Sequence, residues 1–228
     1  MKKSYDKENI FQVIKKSWNW MWKSDSILSY LVLFVFLYIF IKLIFFPGLS
    51  LILNTSLPAA IVESSSMDHQ IKLNEEGFLT LCGEVYSINQ RKDFNEFWDV
   101  CGDWYKNNTN ITKDQFSDFK FSNGFSKGDL IILYGKKNIN IGDVIVFKPN
   151  KESLAPNPII HRVVSLNSIQ TKGDHNPGQL TKTNNAYKTD ETNINKDQVI
   201  GTAVAKIPYV GWLKLGVVEI WNKLTNKK

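Results

Sequence analysis

The feature that most constrains this chain is an unbroken apolar run at residues 31–41, Leu-Val-Leu-Phe-Val-Phe-Leu-Tyr-Ile-Phe-Ile. With its flanks it occupies residues 27–46, in which Ser29 and Lys42 are nearly the only polar positions. That is the roughly 20 residues a helix needs to cross about 30 Å of hydrocarbon. Lys42 lies near one end, where its stem can snorkel to the interface, and Pro47-Gly48 mark the expected exit. A cleavable secretory leader has a shorter apolar stretch nearer the N-terminus and a small-residue cleavage site after it, whereas this run continues into Phe45-Phe46-Pro47. A retained single-span anchor is therefore expected at 27–46.

Charge gives the anchor a direction. Residues 1–26 hold six Lys against Asp6, Glu8 and Asp25, and no Lys or Arg occurs from Leu43 until Lys72. The positive-inside rule then keeps the N-terminus cytoplasmic and exports the remainder. The formal charge of +6 resides in the two ends, since residues 27–205 carry 17 basic and 18 acidic side chains. A nucleic-acid-binding domain concentrates its basic residues on the folded part, so that class is excluded.

Within residues 1–26, Ile10, Phe11, Val13, Ile14, Trp18, Met21 and Trp22 recur at helical spacing beside Lys15, Lys16 and Lys23, the pattern of an amphipathic helix lying in the interface. The segment 207–221 is apolar but short and interrupted by Lys214 and Glu219, so within 207–228 an apolar membrane-surface segment followed by a basic tail is expected.

The exported part, 47–206, reads as β-rich. Short strand-like runs at 59–63, 129–134, 143–147, 159–165, 168–172 and 198–207 are separated by turns such as Lys127-Gly128-Asp129, Ile141-Gly142-Asp143 and Lys172-Gly173-Asp174. Between about 70 and 124 the pattern changes: Phe94, Phe97, Trp98, Cys101, Trp104 and Tyr105 fall at three- and four-residue intervals, and Ile111-Thr112-Lys113-Asp114 has the form of a helix start. A helical insertion is predicted there. It contains both cysteines of the chain, Cys82 and Cys101, and an exported location permits a disulfide between them. Two thiols without a Cys-x-x-Cys spacing do not make a metal site, so no metal is expected. Sequons at Asn54, Asn107 and Asn110 are compatible with an exported surface.

Three stretches carry chemistry: Glu63-Ser64-Ser65-Ser66-Met67-Asp68, Ile159-Ile160-His161-Arg162-Val163-Val164, and Lys172-Gly173-Asp174-His175-Asn176. A hydroxyl becomes a useful nucleophile when a neighbouring base takes its proton and a third group orients that base, and a Ser, His and Asp set can do this on unrelated folds. A single His in a strand is otherwise an ordinary structural residue.

The order and setting of these boxes resemble signal peptidase I of the archaeal and endoplasmic-reticulum type. That family has an anchor, a Ser-x-Ser-Met box, a Gly-Asp-apolar strand, an apolar-His-Arg-Val strand and a Lys-Gly-Asp loop. Here they correspond to Ser64-Ser65-Ser66-Met67, Gly142-Asp143-Val144-Ile145-Val146-Phe147, Ile160-His161-Arg162-Val163-Val164 and Lys172-Gly173-Asp174. The likeness covers the anchor and the β-core but not residues 70–124. It implies a mainly β, signal-peptidase-like catalytic domain with an N-terminal transmembrane helix. It implies Ser66 as nucleophile, His161 as general base, Asp174 as the acid that orients or balances the imidazole, and Ser64 assisting the Ser66 N–H in an oxyanion hole.

The chain departs from the family at two places. The family has Pro where this chain has His69, which makes His69 a rival base close to Ser66. The further acid of this branch does not follow the Lys-Gly-Asp loop directly; the next acids are Asp190, Glu191 and Asp197, and Asp190 is the candidate for it. His175 reads as a solvated loop residue, and Arg162, next to His161 on a strand, should face the opposite side.

The implied activity is a membrane-bound serine endopeptidase that removes signal peptides from secretory preproteins without a cofactor. Its partners would be those signal peptides, membrane lipid and the protein-export channel, with no nucleic acid. It would sit in the cell membrane with its catalytic domain on the exterior face. A catalytically inactive exported binding or assembly module on the same fold, or a membrane serine protease with another substrate, are the alternatives.

Overall fold

The structure is a computed structural model that describes residues 7–73, 78–86, 97–135 and 138–225, in two compact units, Met1–Ile52 and Leu53–Lys228. Phe94, the start of the chain and the last three residues of the basic tail lie outside the described residues.

The first unit is helical. Helix α1 (Lys7–Lys23) leads through a short serine-rich turn to α2 (Ile27–Phe40), a π-helical turn (Ile41–Phe45) and α3 (Phe46–Ile52). Ser26 caps α2 by accepting from the Ser29 N–H at 3.1 Å. Trp18 of α1 meets Phe36 of α2 edge-on, 5.7 Å between centroids. The helix does not stop at Pro47 as expected from sequence; it is continuous from Ile27 to Ile52 and is long and apolar enough to cross a membrane. A proline inside a helix removes one i−4 hydrogen bond and crowds the carbonyl one turn back. The π turn directly ahead of Pro47, where the Phe46 N–H donates to Ile41 O five residues back, widens the helix and lets it run on.

The second unit is mainly β. Strands β1 (Ala59–Ile61), β5 (Leu130–Tyr134), β6 (Val144–Phe147), β7 (Ile159–Ser165), β8 (Gln170–Lys172) and β9 (Val199–Ile207) form one curled antiparallel sheet in the order β1-β5-β9-β6-β7-β8. Strand β6 explains its own sequence: Val144 and Val146 join a core of Val62, Met67, Phe125, Ile131 and Leu133, while Ile145 and Phe147 join Val163, Ile169 and Ile194 on the other face. A strand covered on both faces has no solvent side to mark with polar residues.

The segment predicted as a helical insertion is only partly helical. It begins with a small antiparallel sheet, β2 (Lys72–Leu73), β3 (Leu79–Leu81) and β4 (Glu84–Tyr86), followed by α4 (Phe97–Asn108) and α5 (Lys113–Asp118). The β3–β4 turn is carried by Cys82 and Gly83, both at positive φ, so two short strands are joined with almost no loop. Thr112 starts α5 with a reciprocal capping box to Gln115. Trp98 and Tyr105 of α4, Ile111 of the connection and Phe116 of α5 pack with Val164 of β7 into a separate aromatic core. A Cys82–Cys101 disulfide, Cα atoms 5.5 Å apart, ties the β3–β4 turn to α4. Closing such a loop limits the unfolded chain, so replacing both cysteines by Ala is expected to cost about 3 kcal/mol of unfolding free energy, read from thermal or denaturant melts. After β9, helix α6 (Trp212–Thr225) closes the described chain.

Candidate active site

Ser66 sits in the tight turn that follows β1, closed by the Asp68 N–H donating to Ser65 O at 2.9 Å. Three contacts fix that turn. Met67 is buried in the sheet core, its carbonyl accepts from the Phe125 N–H at 2.8 Å, and the His175 N–H donates to Ser66 O at 2.8 Å. Ser66 itself is half-buried. Its Oγ lies 3.0 Å from Nε2 of His161, which projects from β7 and is 3% exposed. Ser64 Oγ is 3.1 Å from Ser66 Oγ. The turn and the strand, 95 residues apart in sequence, are thus brought to hydrogen-bonding distance.

The acid on the imidazole is neither Asp174 nor Asp190. Nδ1 of His161 is hydrogen-bonded to the carboxylate of Glu191, a fully buried side chain. Glu191 is held by further donors: Thr171 Oγ1 at 2.9 Å to Oε1 and the Leu180 N–H at 2.7 Å to Oε2. Its backbone exchanges hydrogen bonds with Leu180 and Thr171. An ionised carboxylate can only accept, so it keeps the imidazole proton on Nδ1 and turns the Nε2 lone pair toward Ser66. Asp190, one residue earlier, points elsewhere; its Oδ1 accepts from the N–H and hydroxyl of Thr192, two residues on.

Asp174 does different work. Its carboxylate meets Nε of Arg162 at 2.9 and 3.2 Å and a terminal guanidinium nitrogen at 2.6 Å, with both side chains fully buried. The other guanidinium N–H groups reach Gly142 O, Lys120 O and Phe121 O, so every donor of Arg162 is used. His69 Nε2, at 2.8 Å, and Tyr105 OH, at 3.0 Å, complete the shell of Asp174. Burial alone would raise the Asp174 pKa, but the Arg162 charge and the His69 hydrogen bond hold the carboxyl well below the usual range. Arg162 does leave the His161 side of β7, as alternation requires, but into this buried pair rather than solvent. His69, the rival base, is committed to Asp174 and stacks on Phe97 at 3.7 Å, and His175 directs Nδ1 to Asp68 O at 2.9 Å.

Gly173 is required by closeness. A Cβ there would lie 2.6 Å from His161 Nε2 and 2.9 Å from Ser66 O. The Lys-Gly-Asp loop can therefore pass the His161 ring and the Ser66 carbonyl this closely only with glycine at its centre.

A half-buried hydroxyl facing one imidazole nitrogen, with a buried carboxylate behind the other, is an arrangement suited to acyl transfer. No protein-family model matches the chain. It is similar to curated proteins named signal peptidase complex catalytic subunit SEC11, the endoplasmic-reticulum type of signal peptidase I. It is 31% identical over 109 residues to the one from Colletotrichum graminicola, which is 43% of this chain and 60% of that protein. It is 29% identical over 103 residues to that of Plasmodium falciparum, covering 42% and 53%, and 27% identical over 104 residues to that of Saccharomyces cerevisiae, covering 42% and 59%. The chain thus spans little more than half the length of the curated relatives it matches.

Proposed function

We propose that this protein is a membrane-anchored serine endopeptidase that removes signal peptides from exported preproteins. The observation that carries the reading is the Ser66 Oγ to His161 Nε2 contact at 3.0 Å, backed by Glu191 on Nδ1. In the proposed reaction His161 takes the Ser66 proton as Oγ attacks the scissile carbonyl, then gives it to the departing amine. It next activates water to hydrolyse the ester on Ser66. The Ser66 N–H and the Ser64 hydroxyl hold the oxyanion, a donor pair of the kind that contributes about 100- to 1000-fold per donor.

Location supports the same reading. The apolar helix Ile27–Ile52 would hold the catalytic unit at the exterior face of the membrane, where a precursor's cleavage site emerges. Helix α6 adds a second apolar element: Tyr209, Leu213, Ile220 and Trp221 around it are 72%, 81%, 61% and 66% exposed, and the Gly211 N–H at its start is pinned to Gly128 O at 2.8 Å. Such a face suits the headgroup layer. The partners on this reading are signal peptides, membrane lipid, the export channel and, since the relatives are named as subunits of a complex, companion subunits.

The test is incubation of the purified full chain with a secretory precursor in detergent, reading the new N-terminus by mass spectrometry. Cleavage after small residues at the −1 and −3 positions supports the proposal; an intact precursor, or cleavage at unrelated sites, defeats it. In the same assay His69→Ala is expected to retain cleavage within roughly tenfold of wild type, because His69 is engaged by Asp174 and does not face Ser66.

A further inference from the structure

Lys172 is a charge the proposed reaction does not use, and it is fully buried. Its Nζ donates to the backbone carbonyls of Gly173 at 3.0 Å and Asp174 at 3.1 Å. The ammonium also lies 5.2 Å from the Trp104 ring centroid and 5.1 Å from that of Tyr105. Both aromatics belong to α4, within the segment that lies outside the family likeness.

The same loop is gripped elsewhere by the insertion. Tyr105 OH donates to Asp174 Oδ1 at 3.0 Å, and the Cys82 N–H donates to His175 O at 3.1 Å. On its opposite side the loop touches the reacting groups. The His175 N–H holds Ser66 O, and Gly173 passes so close to His161 that a single added carbon would collide with Nε2.

We infer that Lys172, boxed by Trp104 and Tyr105, is a positioning residue that holds the 172–175 loop in the shape that aligns Ser66 with His161, and that the insertion supplies the box. This rests on the proposed serine peptidase reading and extends it by giving the insertion a role in turnover. The ammonium acts by fixing two successive carbonyls, whose peptide planes set where the His175 N–H and the Gly173 backbone lie. Displacements of about 1 Å in such supports cost up to about 100-fold in rate.

The charge is held at a cost. Burial lowers the Lys172 pKa to about 8, opposed by the Asp174 and Glu191 carboxylates and reinforced by the Arg162 charge. The groups facing it are therefore Asp174, Glu191, Arg162 and the hydroxyl of Tyr105, which burial keeps protonated far above neutrality. Because the folded value lies below the unfolded one of about 10.4, the burden on stability is present below pH 8 and is relieved as pH rises toward 10. Loss of the proton weakens both carbonyl contacts and the attraction to the rings, so turnover should fall on the alkaline side near pH 8.

The experiment measures kcat and KM for precursor cleavage from pH 6 to 10 in wild type, Lys172→Met and Trp104→Ala. Lys172→Met is expected to lower kcat at pH 7 by roughly 10- to 100-fold with KM little changed, and to lack the alkaline limb near pH 8. Trp104→Ala admits water to the ammonium, relieves the largest cause of its depressed pKa, and should move that limb to higher pH. A melting series supplies a readout without activity: wild type should gain stability relative to Lys172→Met between pH 8 and 10. An alkaline limb that persists unchanged in Lys172→Met, or one that Trp104→Ala leaves in place, overturns the inference. Cleavage that survives in Ser66→Ala would overturn instead the reading on which it rests.

Discussion

Alanine in place of Ser66 or His161 is expected to abolish precursor cleavage, with kcat falling by on the order of 10⁵- to 10⁶-fold, and Glu191→Gln to lower it by on the order of 10⁴-fold. In the proposed reaction the first two are the attacking atom and its base. The third tests the tautomer. Gln has nearly the size of Glu, its one oxygen can still accept from the Leu180 N–H, and the Thr171 hydroxyl can turn to accept from the amide nitrogen. Its amide, however, can present N–H to Nδ1, which favours the imidazole proton on Nε2, facing Ser66. An Nε2–H cannot take the serine proton. The loss should appear in kcat with KM little changed, because no contact to bound peptide has been removed. Single-turnover cleavage at pH 7 measures it. Turnover of Glu191→Gln within tenfold of wild type would mean that the imidazole is oriented without this carboxylate.

Glu191 also marks the limit of what the sequence discloses. The Ser66 and His161 boxes are legible because their neighbours are specific: Met67 enters the core directly after Ser66, and the apolar residues around His161 are a strand covered by β6. The six strands of the large sheet can be read within two residues from turn glycines and apolar runs. Glu191 stands in irregular chain after a long polar loop, where no period indicates which of two adjacent acids turns inward. Backbone pairing with Leu180 and Thr171 decides it, and those contacts span 11 and 20 residues. The signal that was present is Thr171, a hydroxyl on β8 in need of a buried acceptor. Asp174 misleads for the opposite reason: its box is recognisable, but its partner Arg162 faces the other side of β7 from His161. Likewise β2 to β4 are too short to show alternation, and helicity through Pro47 depends on a π turn that no residue pattern announces.

Arg162→Met is expected to be the most destabilising single change in the Leu53–Lys228 unit, costing about 3–5 kcal/mol and lowering Tm by on the order of 10 °C. Methionine fills much of the aliphatic volume but leaves the Asp174 carboxylate buried with only His69 and Tyr105 as donors. It also takes from the carbonyls of Gly142 and Lys120 the guanidinium donors they now accept from, and leaves Phe121 O with the Gly124 N–H alone. The sign of the pH dependence should reverse with it. In wild type the Asp174 pKa is depressed, so the stability it contributes is complete above about pH 4, the unfolded value, and is lost as pH falls below it. In Arg162→Met, burial without the guanidinium raises that pKa, and the deficit relative to wild type should shrink as pH falls from 7 to 4. Asp174→Asn on the Arg162→Met background should recover a substantial part of the loss at pH 7, since a neutral amide no longer demands a buried counter-charge. Melting curves for the four members of this cycle at pH 7 and pH 4 decide the matter. A cost below about 1 kcal/mol for Arg162→Met, the range of exposed ion pairs, would show that the pair is solvated rather than sealed in the interior.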